Sequence, residues 1–141
     1  MTRVLLVSGA NNHDWEWTTP SLASILRETG RFEVVVTRNP GAALADRGAL
    51  DSYDAVVLDY NGPRWGDAAE TAFLGAVRDG LGVVVIHAAD NHGNGWPEYV
   101  QRQPALVIVD SQLKTPFSAK VLSPAMLATR DVYIACLNTA P

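Results

Sequence analysis

The chain has 141 residues, 48% hydrophobic and 18% charged, with a net charge of −4: enough for one globular domain with a two-sided core, and not a disordered or fibrous composition. The acidic balance and the lack of any Lys/Arg cluster argue against nucleic-acid and anionic-membrane partners, and no apolar run approaches membrane-spanning length or a signal-peptide core. The lone Cys136 cannot form an internal disulfide, so a reducing compartment, the cytoplasm, is expected.

Arg3 to Ser8 reads as a first buried strand, running into the polar, aromatic loop Gly9 to Trp17. Thr19 with Pro20 after it predicts a helix start, Leu22, Ile25, Leu26 and Thr29 recur at helical spacing, and Gly30 is placed to end the helix. Phe32 to Thr37 is a second strand. From Ala42 to Leu50 a short helix is expected, interrupted at Gly48. Asp54 to Tyr60 is the third strand, followed by the loop Asn61 to Trp65. Asp67-Ala68-Ala69-Glu70 has capping-box spacing, and Ala69, Phe73, Ala76 and Val77 make a helical apolar stripe ending at Gly80. Val83 to Ile86 is an unbroken β-branched run, the pattern of a strand buried on both faces, and it exits into His87, Asp90, Asn91, His92 and Asn94 before Trp96. About one helical turn is expected at Pro97 to Gln101 and a fifth strand at Ala105 to Val109. Beyond Asp110 the periodicity fades, with short strands read at Ser118 to Leu122 and Val132 to Leu137 and a helix opening at Ser123-Pro124.

This alternation predicts an α/β fold, a three-layer flavodoxin-like parallel sheet of order 2-1-3-4-5 with helices on both faces, in one domain spanning 1–141. Strand-to-helix loops then share the carboxyl edge, where open α/β sheets bind ligands. All four tryptophans (Trp15, Trp17, Trp65, Trp96) and all three histidines (His13, His87, His92) fall in three of those loops. Taken singly, such residues are turn formers, core seals or solvated side chains. Their clustering points to a pocket, with His13 and His87 expected within roughly 10 Å of each other, because neighbouring strands lie ~4.8 Å apart.

The first turn, SGANNHDW, lacks G-x-G-x-x-G, and no phosphate-binding G-x-x-x-x-G-K-S/T occurs, so no nucleotide or flavin cofactor is expected. Histidines and acids are present, but no H-x-x-x-H or H-E-x-x-H pattern supports a metal. The turn after the fourth strand reads Ile86-His87-Ala88-Ala89, without a thiol or hydroxyl nucleophile, and Cys136 sits in an apolar run that suits an inert thiol. Aromatic faces mixed with amides and carboxylates suit a neutral polyhydroxy ligand, such as a sugar. The candidate acid–base groups are His13 and His87, with Asn12, Asp14, Trp15, Asn61, Asp90, Asn91 and Trp96 as candidate binding groups.

The segments SGANNHDWEWTTP, RFEVVVT, YDAVVLDYNG and DGLGVVVIHAADNHGNGWPEY resemble the ThuA-like, or trehalose-utilisation, family over about Arg3 to Tyr99. The resemblance implies a flavodoxin-like fold related to class I glutamine amidotransferases, without their cysteine nucleophile, and a role in carbohydrate metabolism, on disaccharides or their keto derivatives. It places the family's first-loop histidine on His13, preceded by Asn12, and the histidine after the fourth strand on His87; Asn61 and Trp96 also fall on pattern positions. After Tyr99 the pattern departs. Val109 to Lys114 stands where Asp-His-Pro is expected, and Arg130 to Tyr133 only echoes the family's acidic segment, a diverged or shortened second half. Two functions compete on this reading: a sugar-handling enzyme using histidine acid–base groups, and a non-catalytic carbohydrate-binding or regulatory domain. Either takes a small-molecule ligand, with neither nucleic acid nor membrane as partner and homo-oligomerisation left open.

Overall fold

In the computed structural model, residues 1–91, 96–101, 106–109, 118 and 132–135 are described. They fall into two compact units, Met1–Trp96 and Pro97–Pro141.

The first unit is built on β1 (Thr2–Val7), which pairs in parallel on both sides. One neighbour is β2 (Phe32–Thr37), in register from Thr2↔Phe32 to Val7↔Thr37. The other is β3 (Ala55–Leu58), which in turn pairs with β4 (Gly82–Val85), giving the order 2-1-3-4. These four positions are the expected ones. Side chains alternate across a strand, so Val4, Leu6, Val34 and Val57 share one face. They are buried there against Ala23, with Leu22 and Leu26 packed alongside, all from α1 (Trp15–Glu28). Leu5, Val7, Val56 and Leu58 point the other way and are also buried. The helices α2 (Pro40–Ala45), α3 (Arg47–Leu50) and α4 (Asp67–Arg78) pack on one another and bury Leu44, Leu50 and Phe73 as the second layer.

Four local expectations are corrected. Helix α1 begins at Trp15, not after Thr19, because the Asp14 side chain accepts from the Trp17 N–H at 3.3 Å and caps it. Pro20 therefore lies inside the helix; it removes the N–H that would reach the Glu16 carbonyl, and both residues are exposed, so water can take that place. The break between α2 and α3 falls at Asp46, which caps α3 through the Ala49 N–H at 3.1 Å, while Gly48 lies within the helix. No capping box forms at α4: Gly66 holds the cap position, and Glu70 turns instead to Arg64, which grips both carboxylate oxygens. Finally, β4 is not sealed on both faces. Val84 is 49% exposed, since it shares the α1 face and that helix packs over β2, β1 and β3.

The second unit contains α5 (Pro97–Gln101), the expected helical turn, and a parallel pair of β5 (Leu106–Val109) and β6 (Val132–Ala135). The strand expected as fifth in the sheet thus makes its hydrogen bonds with β6, from Leu106↔Val132 to Val109↔Ala135, two apolar runs of equal length. Ser118 forms part of a turn, and the rest of the strand read at Ser118 to Leu122, like the helix read at Ser123-Pro124, lies outside the described residues. Among the described residues no helix is long and apolar enough to cross a membrane.

The Arg64–Glu70 pair gives a pH dependence. Glu70 is buried, and the Arg64 guanidinium holds its carboxyl below the usual glutamate value. The pair's contribution is complete above the ordinary value of about 4.3 and is lost as the pH falls through the lowered one. Glu70→Gln should flatten that acid limb of the melting temperature below about pH 4.3. An unchanged limb in the variant would show that the pair does not couple to folding.

Candidate functional site

The carboxyl ends of β1, β3 and β4 deliver three loops to one edge. The loop after β1 leaves through Gly9, at a positive φ of 112°, where a Cβ would stand 2.5 Å from the Arg38 carbonyl oxygen. Only glycine fits that approach, and it brings the loop against the chain leaving β2. The loop after β3 is tied to it: the Asn61 N–H donates to the Ala10 carbonyl at 2.8 Å, and the Asn61 amide donates to Asn12 Oδ1 at 3.3 Å. At Gly62 a Cβ would meet the Ala10 methyl at 2.5 Å, so these two loops touch at backbone distance.

Under the first loop lies a buried polar cluster. Asp59, 3% exposed, follows β3 and accepts three hydrogen bonds, from Thr18 Oγ1 and Thr19 Oγ1 at 2.9 Å each and from the Asn11 amide at 3.3 Å. Thr19 also shares a hydrogen bond with the Ser8 hydroxyl at the end of β1. Asn11 in turn accepts from the backbone N–H of His13 at 3.1 Å. None of Ser8, Asn11, Thr18, Thr19 and Asp59 is among the site residues that the sequence predicts. The available signal was an acid, Asp59, closing the apolar run Ala55 to Leu58.

The chain leaving β4 turns at His87, which has a φ of 42° and opens a 3-10 turn, His87–Asn91. The turn is held on either side of the residue: Ile86 donates to the Leu58 carbonyl at 2.9 Å, and Ala89 donates to that of Ile86 at 3.0 Å. Histidine enters the left-handed region more readily than most side chains, but it carries some strain there. His13 and His87, from loops two strands apart, meet with ring centroids 4.6 Å apart and planes inclined by 33°. The expected proximity therefore holds, and both residues are exposed.

The remaining candidates divide. Asn12 and Asn61 are joined to one another beside the pair. Trp15 is half-buried, with the Arg38 guanidinium 5.3 Å from its ring centre. Asp14 uses its side chain to cap α1. Trp96 does not form an open wall: it is 2% exposed, in an aromatic cluster with Trp65 at 5.4 Å and Phe73 at 6.5 Å. Trp65 belongs to the same cluster, through edge contacts with Phe73 and Tyr60. Burial raises the Tyr60 phenol above its ordinary pKa, and its hydroxyl donates to the Pro63 carbonyl at 3.0 Å. Asp90 and Asn91 belong to the 3-10 turn, with side chains outside the described set; His92 and Asn94 also lie outside it.

A family model described as ThuA, trehalose utilisation, matches residues 3–124. A crystal structure of a ThuA-like protein from Parabacteroides merdae ATCC 43184 is 38% identical, with a TM-score of 0.65, over 72% of this chain and 37% of that one. The present chain thus spans little more than a third of that protein's length. No curated protein matches it.

The left-handed backbone at His87 is testable by melting. His87→Gly should change stability by less than about 1 kcal/mol, since glycine adopts this φ without strain. His87→Val should lower stability by roughly 1–3 kcal/mol, because a β-branched residue resists the conformation. If the glycine variant loses as much as the valine one, the imidazole itself holds the turn.

Proposed function

Because the chain belongs to the ThuA family of trehalose utilisation, we propose that it handles a disaccharide or its keto derivative, with His13 and His87 as a paired acid–base site. The observation that carries this reading is the contact of the two imidazoles, 4.6 Å apart, on loops from β1 and β4. Imidazole is the side chain that takes up and releases protons near neutrality. Two in contact can divide the work, one removing a proton from a sugar hydroxyl or from a carbon beside a keto group while the other donates to the neighbouring oxygen. Asn12 and Asn61 supply amides for ring hydroxyls, and Trp15 supplies an apolar face. Trp96 and Asp14 take no part in ligand contact on this reading, since one is enclosed and the other caps a helix.

A second reading, a carbohydrate-binding domain without turnover, draws on the exposure of both histidines, because acid–base chemistry gains from excluding water. The two readings part on one measurement. The protein is incubated with trehalose and with keto-disaccharides, and the sugars are followed by NMR. The acid–base reading expects conversion of the sugar, with His13→Ala and His87→Ala each losing about 10²–10⁴-fold in turnover at nearly unchanged melting temperature. Line broadening of the sugar without conversion supports the binding domain. If neither sugar is bound or converted by the unaltered protein, the carbohydrate reading fails.

A further inference from the structure

The contact between Asp59, Asn11 and His13 carries more than loop packing. Asp59 Oδ1 accepts from the Asn11 amide nitrogen, and Asn11 Oδ1 accepts from the His13 N–H. A carboxylate can only accept and a backbone N–H can only donate, so the two ends together force one orientation on the Asn11 amide. Oδ2 of the same carboxylate is occupied separately, by Thr18 and Thr19 from α1. The two oxygens thus have two tasks: one anchors the helix, the other reaches the histidine loop.

We propose that Asp59 is a positioning residue that, through Asn11, sets where His13 stands against His87. The functional weight of this rests on the reading of the histidine pair as the working groups, but the placement itself does not. A displacement of about 1 Å at a reacting group can change rates on the order of 10²-fold, so a fixed loop matters to a site built from two separate strands. A merely structural Asp59 would act through the threonines and leave the His13 contact indifferent to the Asp59–Asn11 bond.

Reciprocal substitution separates the two roles. In Asn11→Asp the carboxylate at position 11 still accepts from the His13 N–H, but it faces the Asp59 carboxylate and neither group can donate to the other. Turning either carboxylate over changes nothing, so the tether to Asp59 fails in every orientation. Adding Asp59→Asn supplies an NH₂ group that donates to position 11 and restores it, while its oxygen still accepts from Thr18 and Thr19. Thr19→Val serves as the control, since it weakens the same cluster only on the helix side.

The readout is the nuclear Overhauser contact between the ring protons of His13 and His87 in the full chain, which has only three histidines to assign. The expected result is loss of the contact in Asn11→Asp, recovery in the double variant, and retention in Thr19→Val despite a lowered melting temperature. Should Asn11→Asp not fold, Asp59→Ala, which removes the acceptor of the Asn11 amide and leaves the Asn11–His13 bond, is read in its place, with loss expected. Retention in whichever of these two variants is folded, no recovery in the folded double variant, or loss in Thr19→Val would overturn the proposal. No sugar is present in this experiment, so positioning can stand where the carbohydrate reading falls, and the reverse.

Discussion

Burying a carboxylate costs several kcal/mol unless hydrogen-bond donors stand in for water, and in this chain that constraint falls on Asp59, 3% exposed at the exit of β3. Its donors come from two directions, Asn11 in the loop after β1 and Thr18 and Thr19 in α1. Meeting that demand draws the first helix back toward the sheet edge, so that it starts at Trp15 rather than after Thr19. Thr19 is then a buried donor instead of a cap. The short loop left between β1 and α1 has little freedom, and His13 stands at its outer end.

The edge combines a packed side with an open one. Trp65, Phe73 and Trp96 meet in edge and tilted contacts of 5.2–6.5 Å, and Tyr60 joins through Trp65. Aromatic side chains bury roughly 150–250 Å² each, so the cluster anchors the end of the loop after β3 firmly. Asn61 and Gly62, earlier in that loop, lie instead against Ala10 and Asn12. The histidine pair is thereby carried on segments fixed from behind and exposed in front.

The strands and their order through β4 were legible because parallel strands buried on both faces read as continuous apolar runs, as Val4 to Val7 and Val56 to Leu58 do. The His13–His87 proximity was legible for the same reason: strand order fixes loop order. The buried cluster was not, because Ser, Thr and Asp carry the same local signals whether they cap a helix or bond across the sheet. Thr19-Pro20 looked like a helix start on local chemistry alone, and Asp67 to Glu70 looked like a capping box, when Asp59 across the fold claimed Thr19 and Arg64 in the preceding loop claimed Glu70. The burial of Trp96 was not legible for a related reason: a tryptophan near a sheet edge has the same sequence signature whether its ring faces solvent or its neighbours.

The backbone at His87 bears on what the pair is for. A non-glycine residue at a φ of 42° sits in a sparsely populated region that costs of order 1–3 kcal/mol. The residue is exposed, so little apolar burial at its own side chain offsets that cost. The conformation is imposed instead by the hydrogen bonds beside it, from Ile86 to Leu58 and from Ala89 to Ile86, and by the burial of Ala88 and Ala89. Glycine would meet the same backbone demand without strain. What glycine would not supply is the ring held 4.6 Å from that of His13. Strain at this exposed residue is therefore borne by its neighbours' hydrogen bonds and burial, and not by anything its own imidazole buries.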